Sequence, residues 1–174
     1  MKDCIDSLKY IVIDVDGVMT DAGIYYDENG NEYKKFCTRD AAGFWALKQA
    51  GIKVIVITGR ECEATRRRMT ELGVDSLFQN IKNKKEFLEK YITENNIDKE
   101  TLAYIGDDLN DLPSMSLCGF KLTPIDACSE IKRIADYISP IEGGRGVVRD
   151  VAEYVLKARN IWEQIITEVY GIGV

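Results

Sequence analysis

Three short, nearly all-apolar runs constrain the fold of this chain more than any other feature. The runs span residues 10–15, 53–58 and 101–106. Apolar runs without alternating polar residues are typical of strands that are covered on both faces, as in a parallel sheet. Helical patterns separate and follow these runs, over residues 40–50, 61–72 and 84–95. Strands that alternate with helices predict a doubly wound α/β fold built on a parallel sheet.

The segment after the first run breaks this alternation. Residues 24–36 place Asn29-Gly30 between two arms rich in aromatic residues, which is a strong signal for a β-hairpin. A hairpin here would stand over the carboxyl end of the sheet, where open α/β sheets bind ligands. Further along, we expect a strand at 120–123, a helix at 127–135, a strand at 137–138, a glycine-rich turn at 142–146, a helical region at 147–169 and a tail at 170–174. Because no repeat or linker interrupts the chain, we expect one domain over residues 1–174.

Composition and charge narrow the possible functions. The net charge of −6 argues against nucleic acid as a partner, because affinity for nucleic acid depends on Lys and Arg. The apolar runs fall far short of the ~20 residues needed to cross a bilayer, so we expect no membrane partner. The charged segment before residue 10 argues against a signal peptide. Five scattered cysteines without a CxxC pair are typical of reduced thiols, which predicts a cytoplasmic protein.

The chain contains no histidine. Catalysis by Ser-His-Asp or Cys-His groups is therefore excluded. The usual nitrogen ligand of zinc, copper and non-haem iron is also missing. A metal in this protein should be a hard cation with oxygen ligands, which means magnesium or calcium.

Two clusters of acidic residues follow apolar runs. The first contains Asp14 and Asp16, and Gly17 suits a turn that would bring the two carboxylates together. The second contains Asp107, Asp108 and Asp111. Carboxylates this close together are costly without a cation or a buried lysine beside them. The acids therefore predict a site for a divalent cation.

Two further clusters could bind phosphate. Thr58-Gly59 ends the second apolar run, and a hydroxyl with exposed N–H groups at a strand-to-helix turn can hold a phosphate. Lys84 opens a helix and could neutralise phosphate charge. Lys82 and Lys85 lie beside it, and composition alone does not choose among the three. Because the carboxyl ends of parallel strands meet at one edge of a sheet, we expect all four clusters to converge there.

These clusters resemble the four motifs of the haloacid dehalogenase (HAD) superfamily of phosphohydrolases. They read DVDGVMTD, ITGR, Lys84 and GDDLND, in the superfamily's order and with suitable spacing. Within it, the chain resembles the small capless branch that includes the 3-deoxy-D-manno-octulosonate 8-phosphate (KDO 8-phosphate) phosphatases. The hairpin, Lys34-Lys35-Phe36 and residues 143–149 contribute to this closer likeness. The resemblance implies an HAD-like α/β fold with a hairpin inserted after the first strand and no cap domain.

The resemblance also implies a role for each candidate residue. Asp14 would attack phosphorus, and Asp16 would protonate the leaving oxygen and then activate water. Mg²⁺ would be bound by Asp14, the backbone carbonyl of Asp16, and Asp107. Asp108 and Asp111 would orient the groups around the metal. The phosphoryl oxygens would be held by Thr58, Gly59 and Lys84.

The implied substrate is a sugar-acid phosphate, and KDO 8-phosphate is favoured. Phosphatases for nine-carbon sialic-type 9-phosphates carry glutamate where this chain has Arg60, and this difference favours the KDO type. The nine-carbon substrates, KDN or N-acetylneuraminate 9-phosphate, are the alternative. Arg60 and Arg68 are candidates for binding the substrate, and Arg68 could reach the sugar carboxylate across a subunit boundary. Similar proteins are homotetramers whose hairpins and C-terminal tails help to close neighbouring sites, and the resemblance implies the same assembly here.

Two functions of another class stay open. A signalling receiver domain also uses an acidic site, a phospho-aspartate, a threonine and a lysine on an α/β sheet. Asp16 argues against it, because an acid two residues after the nucleophile suits hydrolysis of the intermediate. A non-catalytic regulatory module of sialic-acid activating enzymes can have a similar fold. The intact set of catalytic residues argues against that function.

Overall fold

The structure is a computed structural model that describes residues 2–171, with side chains from Ile5 onward. Its strands are β1 (Tyr10–Ile13), β2 (Tyr25–Tyr26), β3 (Glu32–Tyr33), β4 (Lys53–Ile57), β5 (Ser76–Phe78), β6 (Leu102–Ile105), β7 (Phe120–Thr123) and β8 (Tyr137–Ile138). Its helices are α1 (Lys2–Ser7), α2 (Asp40–Gln49), α3 (Glu63–Leu72), α4 (Lys84–Glu94), α5 (Leu112–Met115), α6 (Ser129–Ile134), α7 (Val147–Ala158) and α8 (Trp162–Tyr170). A short 3-10 helix at Lys99–Thr101 precedes β6.

Six of the strands form one parallel sheet in the order β5-β4-β1-β6-β7-β8. This confirms the predicted doubly wound α/β fold. From the central β1 the chain first builds one half of the sheet, and it then returns to β6 on the other side of β1. The two halves therefore separate at the carboxyl end of β1, and such a switch point is where open α/β sheets bind ligands.

Both faces of the sheet are covered, as the apolar runs predict. Ile11 and Ile13 of β1 belong to a core shared with α2 and α7, whereas Val12 belongs to a second core shared with α4. Successive residues of a strand point to opposite faces, so a run that is apolar throughout supplies both cores. Because both faces of β1 are packed, the strand is held in place and fixes the position of the residues that directly follow it.

The hairpin follows β1 as predicted. Its strands β2 and β3 pair antiparallel over two residues each, and Gly30 has a φ of 80° in the turn between them. In the part of the chain that the structure describes, no cap domain is present between the elements of the sheet. The hairpin exposes four large apolar side chains, namely Ile24, Tyr25, Tyr26 and Tyr33.

The C-terminal region differs in detail from the prediction. The helical region expected over residues 147–169 is divided into α7 and α8, because Asn160 adopts a left-handed φ of 57° between them. Helix α8 extends through Tyr170, so the predicted tail begins later than expected. Residues 172–174 of that tail lie outside the described residues. No helix within residues 2–171 has the length and apolar character that a membrane span requires.

Candidate active site

The four predicted clusters meet at the carboxyl edge of the sheet. Asp14 directly follows β1, Thr58 directly follows β4, and Asp107 lies just beyond β6. Because β4, β1 and β6 are adjacent and parallel, their carboxyl ends bring these three residues together. They border a cavity of about 280 Å³, which is lined by Asp14, Asp16, Ala22, Thr58, Gly59, Arg60, Asp107, Asp108 and Asn110.

Lys84 lies between two buried carboxylates. Its Nζ is 2.8 Å from Oδ2 of Asp14 and 2.8 Å from Oδ1 of Asp111. Burial disfavours the charged ammonium, but attraction to the two carboxylates outweighs burial and raises the pKa of Lys84. For Asp14, burial and the charge of Asp111 raise the pKa well above its usual value, and Lys84 opposes them. Of the three lysines at positions 82, 84 and 85, the structure buries Lys84 among the acids.

The Asp111 carboxylate accepts three hydrogen bonds from the protein. Its Oδ1 accepts hydrogen bonds from Lys84 Nζ and from the Tyr104 hydroxyl, each at 2.8 Å. Its Oδ2 accepts the backbone N–H of Asp107 at 3.2 Å. Asp111 therefore holds Lys84 and the loop after β6 in place. The site thus gains a fixed cation, and both carboxylate oxygens of Asp111 have a partner.

Asp107 has the environment expected of a metal ligand. Its Oδ1 is buried and, among the described residues, has no hydrogen-bond partner. Burial, together with the charges of Asp111 and Asp108, raises the pKa of Asp107 to about 7. Carboxylate oxygens of Asp14, Asp107 and Asp111 lie within 4.8 Å of one another. These are hard oxygen donors whose repulsion a divalent cation would relieve, so Asp14 and Asp107 fit Mg²⁺.

Gly17 explains how the loop after β1 can approach Asp107 so closely. It has a φ of 85°, in the left-handed region that glycine adopts at little cost. A Cβ at this position would lie 2.0 Å from Oδ2 of Asp107. A side chain at residue 17 would thus displace the acid or move the loop.

Asp16 projects toward the cavity and is also held by the hairpin segment. Its carboxylate accepts a hydrogen bond from the Lys34 ammonium. Lys34 is also 3.1 Å from Glu32 Oε1, and Glu32 in turn pairs with Arg60 at 2.6 Å. The hairpin segment therefore contacts the site of its own chain through two charged residues, Lys34 and Glu32. The resemblance, in contrast, implied only that it closes a neighbour's site.

The turn after β4 presents the groups expected of a phosphate cradle. The Thr58 hydroxyl is buried and accepts the N–H of Arg60 at 3.3 Å. The carbonyl of Gly59 accepts a hydrogen bond from Lys82 Nζ at 2.6 Å. This arrangement fixes the turn and leaves Thr58 and Gly59 on the cavity wall.

The two candidate substrate arginines have different positions. Arg60 lines the cavity, but its guanidinium is bound to Glu32 and to the Tyr26 hydroxyl of the hairpin. Hydrogen bonds to Glu32 raise the pKa of Arg60 further. Arg68 is not brought to the cavity within this chain. It contacts Oε2 of Glu71 and the carbonyl of Cys37, each at 3.4 Å.

Asp108 lies at the rim of the site. It is exposed on the cavity wall, and its Oδ1 accepts the N–H of Leu109 at 2.8 Å. Of the two acids predicted to orient the metal surroundings, Asp111 is therefore buried beneath the site and Asp108 faces solvent.

Comparison with known proteins places this site in a family. A family model for haloacid dehalogenase-like hydrolases matches residues 38–119. The KDO 8-phosphate phosphatase KdsC of Haemophilus influenzae is 34% identical over 160 residues, which cover 92% of this chain and 89% of that protein. KdsC of Escherichia coli K12 is 36% identical over 155 residues, which cover 89% and 82%. This chain belongs to the KDO 8-phosphate phosphatase family.

Solved structures of the KDO 8-phosphate phosphatase family share this fold. The enzyme of Moraxella catarrhalis, solved with a magnesium ion, a phosphate ion and KDO, superposes with a TM-score of 0.92 at 36% identity, and the match covers 96% of each chain. The cobalt-bound enzyme of Haemophilus influenzae superposes with a TM-score of 0.87 at 33% identity, over 92% of this chain and 94% of that chain.

Sequence reasoning assigned no role to two residues that the structure places at this family's site. Tyr104 donates to Asp111 from the middle of β6. A tyrosine in an otherwise apolar buried strand is a signal for such a bond, because its hydroxyl needs a partner. Lys34 belongs to a pair of adjacent lysines in a polar segment, and nothing local distinguishes it from an exposed residue.

Proposed function

We propose that this chain is a magnesium-dependent phosphatase that converts KDO 8-phosphate into KDO and phosphate through an aspartyl-phosphate on Asp14. One observation carries the proposal. The chain matches almost the full length of a Moraxella catarrhalis enzyme whose structure contains magnesium, phosphate and KDO. The meeting of Asp14, Lys84 and Asp107 at one edge of the sheet supports the same chemistry.

The first step transfers the phosphoryl group to the protein. A carboxylate oxygen of Asp14 bonds to phosphorus as the P–O bond to the sugar breaks. The leaving oxygen takes a proton from Asp16, which faces the cavity. Lys84 at 2.8 Å favours the ionised Asp14 that this attack needs.

The second step releases phosphate. Asp16, now a carboxylate, takes a proton from a water molecule whose oxygen bonds to phosphorus while the bond to Asp14 breaks. Phosphate leaves, and both acids return to their starting forms. Asp16 thus serves first as the acid and then as the base, so its carboxylate must keep the same position relative to phosphorus in both steps.

The remaining residues bind and orient the substrate. Asp14, Asp107 and the carbonyl of Asp16 would hold Mg²⁺, which when bound neutralises charge on the phosphoryl group. The phosphoryl oxygens are held by Thr58, Gly59 and Lys84. Asp111 fixes Lys84 from below, and Asp108 orients groups at the rim.

Phosphate release tests this function directly. The purified chain should hydrolyse KDO 8-phosphate with magnesium present, and with a higher kcat/KM than for nine-carbon 9-phosphates or simple sugar phosphates. Asp14→Asn should abolish release, whereas Asp98→Asn, at an exposed acid distant from the site, should leave it unchanged. A clear preference for a sialic-type 9-phosphate would replace the proposed substrate, and phosphate release by Asp14→Asn would reject the mechanism.

The assembly and the location of the protein are further parts of this proposal. We infer a homotetramer, supported by the exposed Ile24, Tyr25, Tyr26 and Tyr33 on a hairpin that is short for independent stability. We also infer a cytoplasmic protein, supported by free thiols at four of the described cysteines, namely Cys37, Cys62, Cys118 and Cys128.

A further inference from the structure

Lys34 is a buried cation that the steps above do not use. Its side chain is 1% exposed, and it pairs with Asp16 and with Glu32. Burying an ammonium is costly unless acids surround it, and removing one partner leaves the others without compensation. Burial of the Lys34 ammonium therefore costs free energy. A residue that only anchored the hairpin would avoid this cost, because apolar contacts can hold a hairpin in place.

The position of Lys34 separates it from residues that touch the substrate. Among the described residues that line the cavity, Lys34 is absent, whereas Asp16 is present. The Asp16 side chain is 26% exposed, and Lys34 supplies the one hydrogen bond that its carboxylate receives from the part of the chain described here. Lys34 therefore contacts Asp16 without itself lining the cavity.

Glu32 fixes Lys34 in this position. It accepts Lys34 at 3.1 Å through Oε1, and it binds the Arg60 guanidinium at 3.2 Å and 2.6 Å. Arg60 belongs to the turn that also contains Thr58 and Gly59. The series Asp16–Lys34–Glu32–Arg60 thus links the loop after β1 to the turn after β4 through the hairpin.

We propose that Lys34 is a positioning residue that holds the Asp16 carboxylate at the cavity for both proton transfers. This inference rests on the proposed function, because it concerns the acid and base of that reaction. Without Lys34, Asp16 would stay in the chain but its carboxylate would sample other rotamers. Both steps would slow, while binding of the substrate through the phosphate and the metal site would change little.

Two substrates distinguish positioning from simple anchoring. With KDO 8-phosphate the leaving group is the KDO alkoxide, which departs poorly without a proton, whereas p-nitrophenyl phosphate releases a phenolate that needs none. Hydrolysis of the aspartyl-phosphate needs Asp16 with either substrate. A variant with a misplaced Asp16 should therefore be phosphorylated quickly by the aryl ester and dephosphorylated slowly, which gives a burst of nitrophenolate.

The experiment compares Lys34→Met with the matched control Lys35→Met, in which the neighbouring, exposed lysine changes. For Lys34→Met we expect kcat with KDO 8-phosphate to fall about 100-fold, within the range of general acid–base catalysis, with KM changed less than about threefold. With p-nitrophenyl phosphate we expect a burst approaching one equivalent per site. Lys35→Met should show wild-type rates and no burst.

Several results would overturn the inference. Unchanged kcat in Lys34→Met, a rise in KM alone, or an equal loss with both substrates and no burst would each reject it while the wild type stays active. If Lys34→Met fails to fold, Lys34→Gln decides by the same two readouts, because its amide keeps a weaker donor: lower kcat with a burst supports the inference, and wild-type rates reject it. A wild-type chain that hydrolyses neither substrate would reject the proposed function itself.

Discussion

Asp40 provides a test of the packing between α2 and α7 that is independent of catalysis. Its side chain is buried at the start of α2, where Oδ1 accepts the N–H of Arg149 at 3.2 Å and Oδ2 has no partner among the described residues. Burial raises the pKa of Asp40 from 3.8 to about 6, although the N–H groups of Arg149 and Val148 and the charge of Arg68 oppose the rise.

The sign of the pH effect follows from proton binding. Between pH 3.8 and about 6, the folded chain holds a proton on Asp40 that the unfolded chain releases. Stability from this residue is therefore lost as pH rises through that window. The pKa of Asp40 in the folded chain lies about 1.5 units above pH 4.5. At about 1.4 kcal/mol per unit, the free energy of unfolding falls by about 2 kcal/mol over this interval.

The test replaces Asp40 with Asn, which keeps an acceptor for Arg149 but cannot ionise. We expect the free energy of unfolding of Asp40→Asn to rise relative to wild type by about 2 kcal/mol between about pH 4.5 and about pH 7.5. Urea titrations at each pH measure it, and comparison of the two chains cancels all other titrating groups. Asp98→Asn is the control, because this exposed acid also accepts a backbone N–H. A difference between Asp40→Asn and wild type that does not vary with pH would refute the reasoning.

Three further predictions concern the site. Tyr104→Phe removes a buried donor to the charged Asp111, so we expect the free energy of unfolding, measured by urea titration, to fall by about 1.5–3 kcal/mol. Unchanged stability would contradict the role of this hydrogen bond. Magnesium at about 100 times its Kd should stabilise the wild type by about 2.7 kcal/mol in thermal melts, and Asp107→Asn should lose this effect. Equal stabilisation of both chains would show that Asp107 is not a metal ligand. Gly17→Ala and Gly30→Ala both place Cβ on a left-handed backbone, but only Gly17 faces Asp107. Gly17→Ala should therefore also lose magnesium stabilisation, and identical behaviour of the two would contradict the predicted contact.

The sequence predicted the sheet and the location of the site because both depend on local pattern. The apolar run at residues 10–15 became β1 and the start of the loop that contains Asp14. The runs at residues 53–58 and 101–106 likewise became β4 and β6 and the residues that adjoin them. Parallel strands then place their carboxyl ends at one edge, whatever the details of the helices. The strand β5 (Ser76–Phe78) was missed, because it is a short, half-buried edge strand without a continuous apolar run.

The charge network at the site was less predictable, since it depends on contacts between distant residues. Lys34 and Asp16 are 18 positions apart, and their pairing requires a hairpin whose orientation the sequence does not give. Arg60 had the residue type of a substrate ligand, but Glu32 of the hairpin binds its guanidinium. The break between α7 and α8 lacks glycine and proline, and depends on the left-handed conformation of Asn160.

The covalent intermediate provides the most direct test of the central claim that Asp14 is the nucleophile. Enzyme quenched in acid during turnover of KDO 8-phosphate with magnesium would be treated with borohydride, which reduces an acyl phosphate to an alcohol. Peptide mass spectrometry should then find homoserine at position 14 in the wild type and unmodified peptide in Asp14→Asn. Reduction at Asp16 or Asp107 instead, or turnover without any reducible carboxyl group, would contradict the account.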